Sequence, residues 1–408
     1  MGLPALSIYW FLYLGALGIL FPFFSLYLSD NAGLSATQVG VVVTMSPLLA
    51  LVAPTAWGQL ADRARSRVRV LALATLGAAV FTATLAALRG FAPLLAGAAA
   101  LAAFSTGVVP LIVSVTLGAL GDGALHRFGL TRVWGTVGFL VLVVVFPPAL
   151  HRVQAIRGLE PQVGGPAEPG LALMFPVASV LMLAAVLAAR VIPERKELAL
   201  HARRGDWLEL RRHAPFVRAL GFAFCASLFL QGPMSLFPLY VRARGGGLDS
   251  LSRMWILMLL PEIPLVAFAG TALRRVGPRG LLALGVAAGG LRWLVCGLVS
   301  DRRAIYATQL LHGVTVAGLG VGGPLYVESV VPSGLRSTGQ GLNAVAGVGV
   351  GAIVSNVAAG WLMDHVSTTA PFLVGGAGAL ALAALTPVLL PPPRRPRLPA
   401  VDEGRRGD

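Results

Sequence analysis

The sequence predicts an all-α integral membrane protein with twelve transmembrane helices. Hydrophobic residues make up 56% of the 408 residues and charged residues only 12%, which is too little charge to cover the surface of a soluble protein of this size. Charge-free runs long enough to cross a membrane, about 20 residues each, recur from end to end. Asp30 is the one Asp, Glu, Lys or Arg in the first 61 residues. Because no water satisfies backbone groups inside a bilayer, these runs must be helical.

The charge-free runs give twelve spans in two sets of six. The least apolar long stretch, 191–214, lies between the sets and predicts a cytoplasmic linker loop. We therefore expect an N-terminal six-helix bundle over 1–190, a C-terminal six-helix bundle over 215–391 and a disordered, basic cytoplasmic tail over 392–408. The predicted spans are 4–28, 38–61, 69–88, 91–118, 128–150, 170–190, 215–241, 252–273, 279–300, 304–328, 336–362 and 368–390.

Basic residues indicate the orientation of these spans. Most of the 32 Lys and Arg residues fall in the even-numbered loops and in the tail. Since positive charge stays on the cytoplasmic side, we expect a multi-pass protein of the cell membrane with both termini in the cytoplasm. The first apolar run is long enough to span and has no basic segment before it, so it is predicted to be a retained helix and not a cleaved signal.

Several function classes are disfavoured by composition and motifs. The net charge of +15 would suggest nucleic acid in a soluble protein, but the arginines sit in short loops between spans, so no nucleic-acid partner is expected. Both cysteines lie inside apolar runs, which disfavours a disulfide framework or a paired-cysteine metal site. The chain has no phosphate-binding loop, no His-Glu-x-x-His and no acidic metal cluster. We therefore expect neither an enzyme nor a bound metal or cofactor.

Glu262 is the most informative polar residue inside a predicted span. An ionisable side chain at mid-membrane costs at least about 2.5–3.5 kcal/mol, so it is usually paired or functional. Pro261 and Pro264 flank it, and each proline removes an amide donor and frees a carbonyl. Desolvation favours the neutral form of a carboxyl, so Glu262 could load and release a proton. A permanent structural pair is the alternative, and Arg292 in the next span is the expected counter-charge.

The loop and helix-end motifs resemble those of the major facilitator superfamily over nearly the whole chain. The family signature of loop 2–3, Gly-x-Leu-x-Asp-Arg, is similar to residues 58–63 here. A faint copy, 270–277, follows the eighth span, and two parallel halves are a transporter architecture. Further matches are Pro332, Arg336 and Gly341 in loop 10–11, and Gly360, Leu362 and Asp364 at the end of helix 11.

Within the superfamily, the chain is most similar to the phenylpropionate permease branch and to the nucleoside and oligosaccharide proton symporters. The segment 128–139 resembles the helix 5 motif of that branch. The other matches, in helices 8, 9 and 10, are Glu262-Ile-Pro264, Leu291-Arg292-Trp293 and Gln309-Leu-Leu-His312-Gly313.

The resemblance implies site residues. Proton coupling is expected at Glu262, Arg292 and His312, although packing would also explain an intramembrane histidine. Substrate binding is expected at Arg132, Phe139, Gln231, Glu262 and Arg292, with Arg132 alternatively an ordinary cytoplasmic-side arginine and Phe139 a packing residue. A gating motif is expected at Gly58, Asp62, Arg63 and Arg67, where turn formation is the alternative.

The predicted function is therefore secondary active transport. We expect a proton-coupled symporter that imports a small organic solute, an aromatic carboxylate, a nucleoside or a sugar, by alternating access. The alternatives are an exporter of the same superfamily that exchanges a drug or metabolite for protons and, less favoured, a non-transporting membrane sensor or scaffold. The expected partners are a small-molecule substrate, protons and the lipid bilayer, and a monomer is expected.

Overall fold

The predicted all-α fold is confirmed by a computed structural model that describes residues 2–120, 124–161, 165–193, 210–332 and 335–392. Within these ranges the chain forms helices joined by turns and contains no strand. Eleven of the helices are long and apolar enough to cross a membrane. A twelfth, which carries Glu262, occupies the place of the predicted eighth span.

The first six helices form the N-terminal bundle. In this bundle α1 packs against α5 and α6, and α3 packs against α4 and α6. The helices are α1 (Gly2–Leu26, extended by the π-helical turn Tyr27–Asn31), α2 (Ala36–Arg63), α3 (Arg67–Leu85), α4 (Phe91–Leu120), α5 (Ala124–Arg157) and α6 (Leu171–Ala189).

The remaining helices form the C-terminal bundle. Here α9 packs against α10 and α12, and α7 packs against α11 and α12. The helices are α7 (Ala214–Ser235, continued by Phe237–Ala243), α8 (Leu248–Ala267), α9 (Ala269–Leu298), α10 (Arg302–Val330), α11 (336–365) and α12 (Ala370–Leu389).

Two predicted helix limits are corrected. Helix α5 continues to Arg157, seven residues past the predicted end at 150, because a helix can extend beyond the apolar run when its last turns lie outside the hydrocarbon layer. The run from Ala269 to Leu298 is interrupted at Gly277, which has φ of 69° and ψ of 173°. This left-handed residue lies between the predicted eighth and ninth spans, as expected. Helical structure, however, continues past the predicted end of the eighth span at 273 and up to Gly277.

The predicted domain limits stay predictions. Most of the linker, 194–209, and the tail from 393 onward lie outside the described residues.

The described hydrogen bonds and ion pairs between the two bundles cluster at one end of the molecule, which we call the closed end. It contains the C-termini of α1 and α11 and the N-termini of α2 and α8. There Asp364 at the end of α11 accepts hydrogen bonds from the backbone amides of Ala36 (2.9 Å) and Thr37 (2.7 Å) in α2. The Ser252 hydroxyl of α8 donates to the Val143 carbonyl of α5. At the opposite end, where α2 finishes at Arg63 and α11 begins at Arg336, the described residues of the two bundles form no hydrogen bond or ion pair with each other, and we call it the open end.

Close helix packing depends on glycines at a few crossings. Gly18 of α1 and Gly138 of α5 face each other's helices, so that a methyl group on Gly18 would lie 2.5 Å from the Phe139 carbonyl oxygen and one on Gly138 would overlap the Phe11 carbonyl. Small residues at such positions let two backbones approach closely. The α1–α5 pair therefore cannot accept side chains at these sites without moving apart.

We expect Gly138→Val to destabilise the protein, because the larger side chain forces α5 away from α1. Overpacking of this kind costs about 1–3 kcal/mol. The measurement is thermal unfolding of the purified protein in detergent. Gly221→Val is the control, since a side-chain carbon added at this helical glycine would have no neighbouring atom within 4 Å. Equal melting temperatures for the two variants would contradict the tight α1–α5 crossing.

Candidate functional site

Three neighbouring helices of the C-terminal bundle bring the predicted proton-coupling residues together. Glu262 lies on α8 between two prolines, Arg292 lies on α9, and His312 lies on α10. Just before His312 the α10 helix tightens into the 3₁₀ turn Gln309–Leu311. This turn places Gln309 and His312 on the side of α10 that faces Arg292.

Arg292 is the centre of this cluster. Its side chain is buried, with 2% of the residue exposed. The Nε and Nη2 groups donate to Oε1 of Gln309 at 3.0 and 2.7 Å, and Nη1 lies 3.0 Å from Nδ1 of His312. The guanidinium also lies over the rings of Trp293, at 4.0 Å, and Phe237, at 5.5 Å. The charge is thus compensated by an amide, an imidazole and two π faces.

The expected direct pair between Glu262 and Arg292 is not formed. In the described part of the chain no carboxylate lies within ion-pair distance of Arg292; instead Oε2 of Glu262 lies 3.9 Å from Nε2 of His312. An arginine can only donate, so Nδ1 of His312 is the accepting nitrogen and the ring proton is on Nε2, toward Glu262. His312 therefore connects the two groups as a neutral bridge.

The predicted substrate residues of α5 lie on the other side of the gap between the bundles. Arg132 is exposed, and its guanidinium lies 5.9 Å from the centre of the Trp10 ring. Its positive charge favours the carboxylate form of Glu262. Phe139 packs against Trp255 of α8, with ring centres 5.7 Å apart. Phe139 therefore contacts the C-terminal bundle from α5, whereas the described contact of Arg132 lies within the N-terminal bundle.

A central cavity of about 340 Å³ lies between the bundles, lined by α1, α2, α3, α4 and α6 on one side and by α7, α8 and α11 on the other. Of the predicted site residues, only Gln231 lines it. Met234 and Phe237, which also line the cavity, contact the Arg292 guanidinium. The cavity wall is therefore shared with the buried cluster, although Glu262, Arg292 and His312 are outside the lining.

The predicted gating motif lies at the open end. Asp62 and Arg67 form an ion pair of 3.1 Å, and Arg67 also donates to Ser114 of α4. Arg63 is exposed, and nothing surrounds the position that a side chain on Gly58 would occupy. The described Asp62 contact is thus made within the N-terminal bundle, whereas Asp364, in the matching Gly-x-Leu-x-Asp of α11, reaches across to α2.

Sequence reasoning missed the charged cluster that joins the bundles at the closed end. Nη2 of Arg242, in the C-terminal bundle, lies 3.3 Å from a carboxylate oxygen of Asp30 and 3.3 Å from one of Glu168, both in the N-terminal bundle. His151 lies 3.9 Å from Glu168 and 4.0 Å from Asp249. The isolated position of Asp30 in an otherwise uncharged stretch was the one signal in the sequence.

Two more missed residues line the cavity, Trp255 of α8 and Asn356 of α11. Both are nearly buried, with 6% and 2% of the residue exposed. Asn356 could have been noticed as a strongly polar side chain in a charge-free run. Trp255 had no such signal, because a tryptophan in a membrane helix fits simple packing.

Comparison with known proteins agrees with this architecture. The model of the MFS_1-like family matches residues 3–374. An uncharacterized transporter of Bacillus subtilis, YwbF, is 26% identical over 94% of this chain and 92% of its own length. The maltose permease of Geobacillus stearothermophilus is 27% identical over 90% of this chain and 89% of its own.

Among solved structures, that of a mutant of the nucleoside transporter NupG superposes with a TM-score of 0.82 at 16% identity, covering 95% of this chain and 99% of NupG. This likeness concerns the fold. The family match extends over most of the chain and the relatives align over nearly their whole length, so the chain belongs to the MFS_1-like family of the major facilitator superfamily and is a secondary transporter.

Proposed function

We propose that this transporter is a proton-coupled symporter that imports a small organic solute by alternating access. The observation that carries the proposal is the position of Glu262. It is 27% exposed at the side chain and reaches His312, which in turn holds the buried Arg292. An acid at the edge of the gap between two bundles can exchange a proton with water there and still act on the interior.

The charge of Glu262 affects both bundles in this scheme. As a carboxylate, Glu262 attracts Arg132 of the N-terminal bundle and the Nε2–H of His312 in its own bundle. Protonation removes both attractions. The relative position of α5 and α8 then depends less on this attraction, and His312 keeps only its hydrogen bond with Arg292.

Alternating access requires that the closed end opens when the open end closes. At the closed end Arg242 and Asp364 join the bundles. At the other end, Asp62 occupies the equivalent place in a copy of the Asp364 motif. We propose that Asp62 exchanges its contact with Arg67 for the N-terminus of α11 when that end closes, since a carboxylate stabilises the first turn of a helix.

Orientation follows from the distribution of basic residues. With both termini in the cytoplasm of a cell-membrane protein, the closed end faces outward, and the described conformation is open to the cytoplasm. Import is supported by likeness to a maltose permease, and a small solute by the nucleoside transporter fold of NupG. We propose that the chain acts as a monomer, with protons, solute and lipid as its partners.

Glu262→Gln is expected to abolish concentrative uptake, because the neutral amide cannot release a proton. Solute exchange should remain, since the variant imitates the protonated state. The measurement is accumulation of radiolabelled uridine or maltose by energised cells, compared with counterflow in de-energised vesicles. Glu160→Gln is the matched control, because Glu160 is exposed in the loop after α5. Concentrative uptake by Glu262→Gln at the level of the control would refute the proton site.

Arg242→Gln is expected to favour opening of the closed end, because two carboxylates lose their common cation. If the substitution removes about 1 kcal/mol of stabilisation from the closed end, the population in which that end is open rises roughly fivefold. The measurement is the labelling rate of Ser25→Cys, which lines the cavity, by an impermeant thiol reagent added to intact cells after Cys225 and Cys296 are replaced by serine.

Arg302→Gln is the control for this test. Arg302 is exposed at the same end and contacts the Arg244 carbonyl within its own bundle. Labelling of the Arg242 variant at the rate of the Arg302 variant would show that the charged cluster does not hold the bundles together.

A further inference from the structure

The lining of the central cavity is uncharged in the part of the chain that the structure describes. Its walls are mainly apolar, and aromatic side chains come from both bundles: Phe21 and Phe24 from α1, Phe237 from α7 and Trp255 from α8. The polar side chains in the lining are all neutral, namely Ser25, Ser46, Ser105, Gln231, Ser235 and Asn356. Ligand sites of this kind are mostly apolar, with a few polar groups that orient the ligand.

Two residues of this lining each carry a buried polar atom that has no hydrogen-bond partner among the described residues. The two atoms are Nε1 of Trp255, a donor, and Oδ1 of Asn356, an acceptor. Leaving a buried polar atom unpaired costs about 1–3 kcal/mol, and such atoms are rare in folded proteins. Both atoms belong to residues that line one cavity, on two different helices, which indicates a ligand that supplies the missing partners.

The other buried and half-buried indoles of the described chain show that Trp255 is an exception. Trp10 donates to Thr116, Trp57 to the Ala103 carbonyl and Trp293 to the Leu230 carbonyl. The fold thus satisfies indole N–H groups at these three positions. Asn356 differs in the same way from its neighbour Ser355, whose hydroxyl both accepts from the Gly232 amide and donates to the Leu228 carbonyl.

A charged solute would lack a partner in this cavity. Arg292 is outside the lining, contacts the lining residues Met234 and Phe237, and donates to Gln309 and His312. A carboxylate or phosphate placed in the cavity would therefore be desolvated without an ion pair, which is strongly unfavourable. Of the three solute classes that the sequence left open, aromatic carboxylates fit this lining least.

The aromatic side chains of the lining favour a flat ring over a chain of hydroxyls. Trp255 meets Phe21 edge to face, with ring centres 5.6 Å apart, and packs on Phe139 as well. Of these three, Phe21 and Trp255 line the cavity and provide apolar surfaces for a flat ring. A disaccharide carries a hydroxyl on nearly every ring carbon, and each would need a partner that the mainly apolar walls do not supply.

We propose that the central cavity binds an uncharged heteroaromatic solute, with Trp255 Nε1–H donating to an acceptor on the ring and Asn356 Oδ1 accepting from a donor on it. The proposal rests on the proposed function, since it takes this cavity as the solute site. Trp255 and Asn356 belong to the C-terminal bundle, while Phe21, Ser25 and Ser46 close the cavity from the N-terminal bundle. A bound solute would thus contact both bundles at once.

Binding to the purified wild-type protein tests the solute class without any proton gradient. The probes are uridine, uridine 5′-monophosphate and maltose, and the measurement is isothermal titration calorimetry in detergent. We expect uridine to bind more tightly than either of the others by about tenfold or more. Binding of the monophosphate or of maltose as tightly as uridine, or no binding of uridine, would overturn the proposal.

Two substitutions test the recognising atoms. Trp255→Phe removes the N–H group and keeps an aromatic ring, and Asn356→Leu removes the oxygen and keeps the size of the side chain. Each should weaken uridine binding about five- to tenfold, whereas Trp361→Phe, at an exposed indole stacked on His365, should leave it unchanged. Wild-type affinity in both variants would contradict the assignment.

Transport measurements distinguish this proposal from the coupling scheme. If Glu262→Gln accumulates solute like the wild type, but uridine binding depends on Trp255 and Asn356, the coupling scheme fails and the solute site stands. If Glu262→Gln loses accumulation and the two variants bind uridine like the wild type, the solute site fails and the coupling scheme stands.

Discussion

The structure depends on one unusual constraint, a permanent positive charge buried inside a membrane bundle without a carboxylate beside it in the described chain. Arg292 cannot lose its charge at any ordinary pH, so its surroundings must compensate it continuously. Gln309 accepts two of its hydrogen bonds, and His312 accepts a third. This requirement fixes the side chain of Gln309 and the tautomer of His312, and it leaves the second imidazole nitrogen directed toward Glu262. The position of the acid in the site is thus a consequence of how the arginine is stabilised.

The two ends of the molecule use related chemistry in different states. At the closed end a carboxylate from α11 caps α2, and one arginine binds two carboxylates of the other bundle. At the open end the corresponding Asp62 is paired within its own bundle. Ion pairs and caps near a membrane surface exchange partners at small net cost, since water stabilises the separated groups nearly as well. Such contacts suit surfaces that must separate and rejoin during a transport cycle, whereas the glycine contact of α1 with α5 belongs to the rigid interior of one bundle.

The sequence predicted those parts of the fold that follow from a single segment. The helices follow from the charge-free runs, because each run must satisfy its own backbone in a bilayer. Glu262 and Arg292 were predicted because a charge inside such a run is costly. The His312 bridge was not predicted, since the distance between Glu262 and Arg292 depends on how α8, α9 and α10 pack. The cluster around Arg242 joins it to carboxylates that lie 74 and 212 positions away in the chain. Trp255 and Asn356 became visible only when the unpaired state of their polar atoms and the position of the cavity were known together.

An uncharged solute raises the question of how a proton site could sense it, since the two would not attract each other directly. The geometry offers an indirect connection. Met234 and Phe237 line the cavity and also contact the Arg292 guanidinium, and Arg292 is joined through His312 to Glu262. On the proposed function, a solute that presses on this wall changes the packing around the arginine, and a proton on Glu262 changes the electrostatic balance around the same group. The two ligands would then be coupled because both act on Arg292, and coupling of that kind needs no charge on the solute.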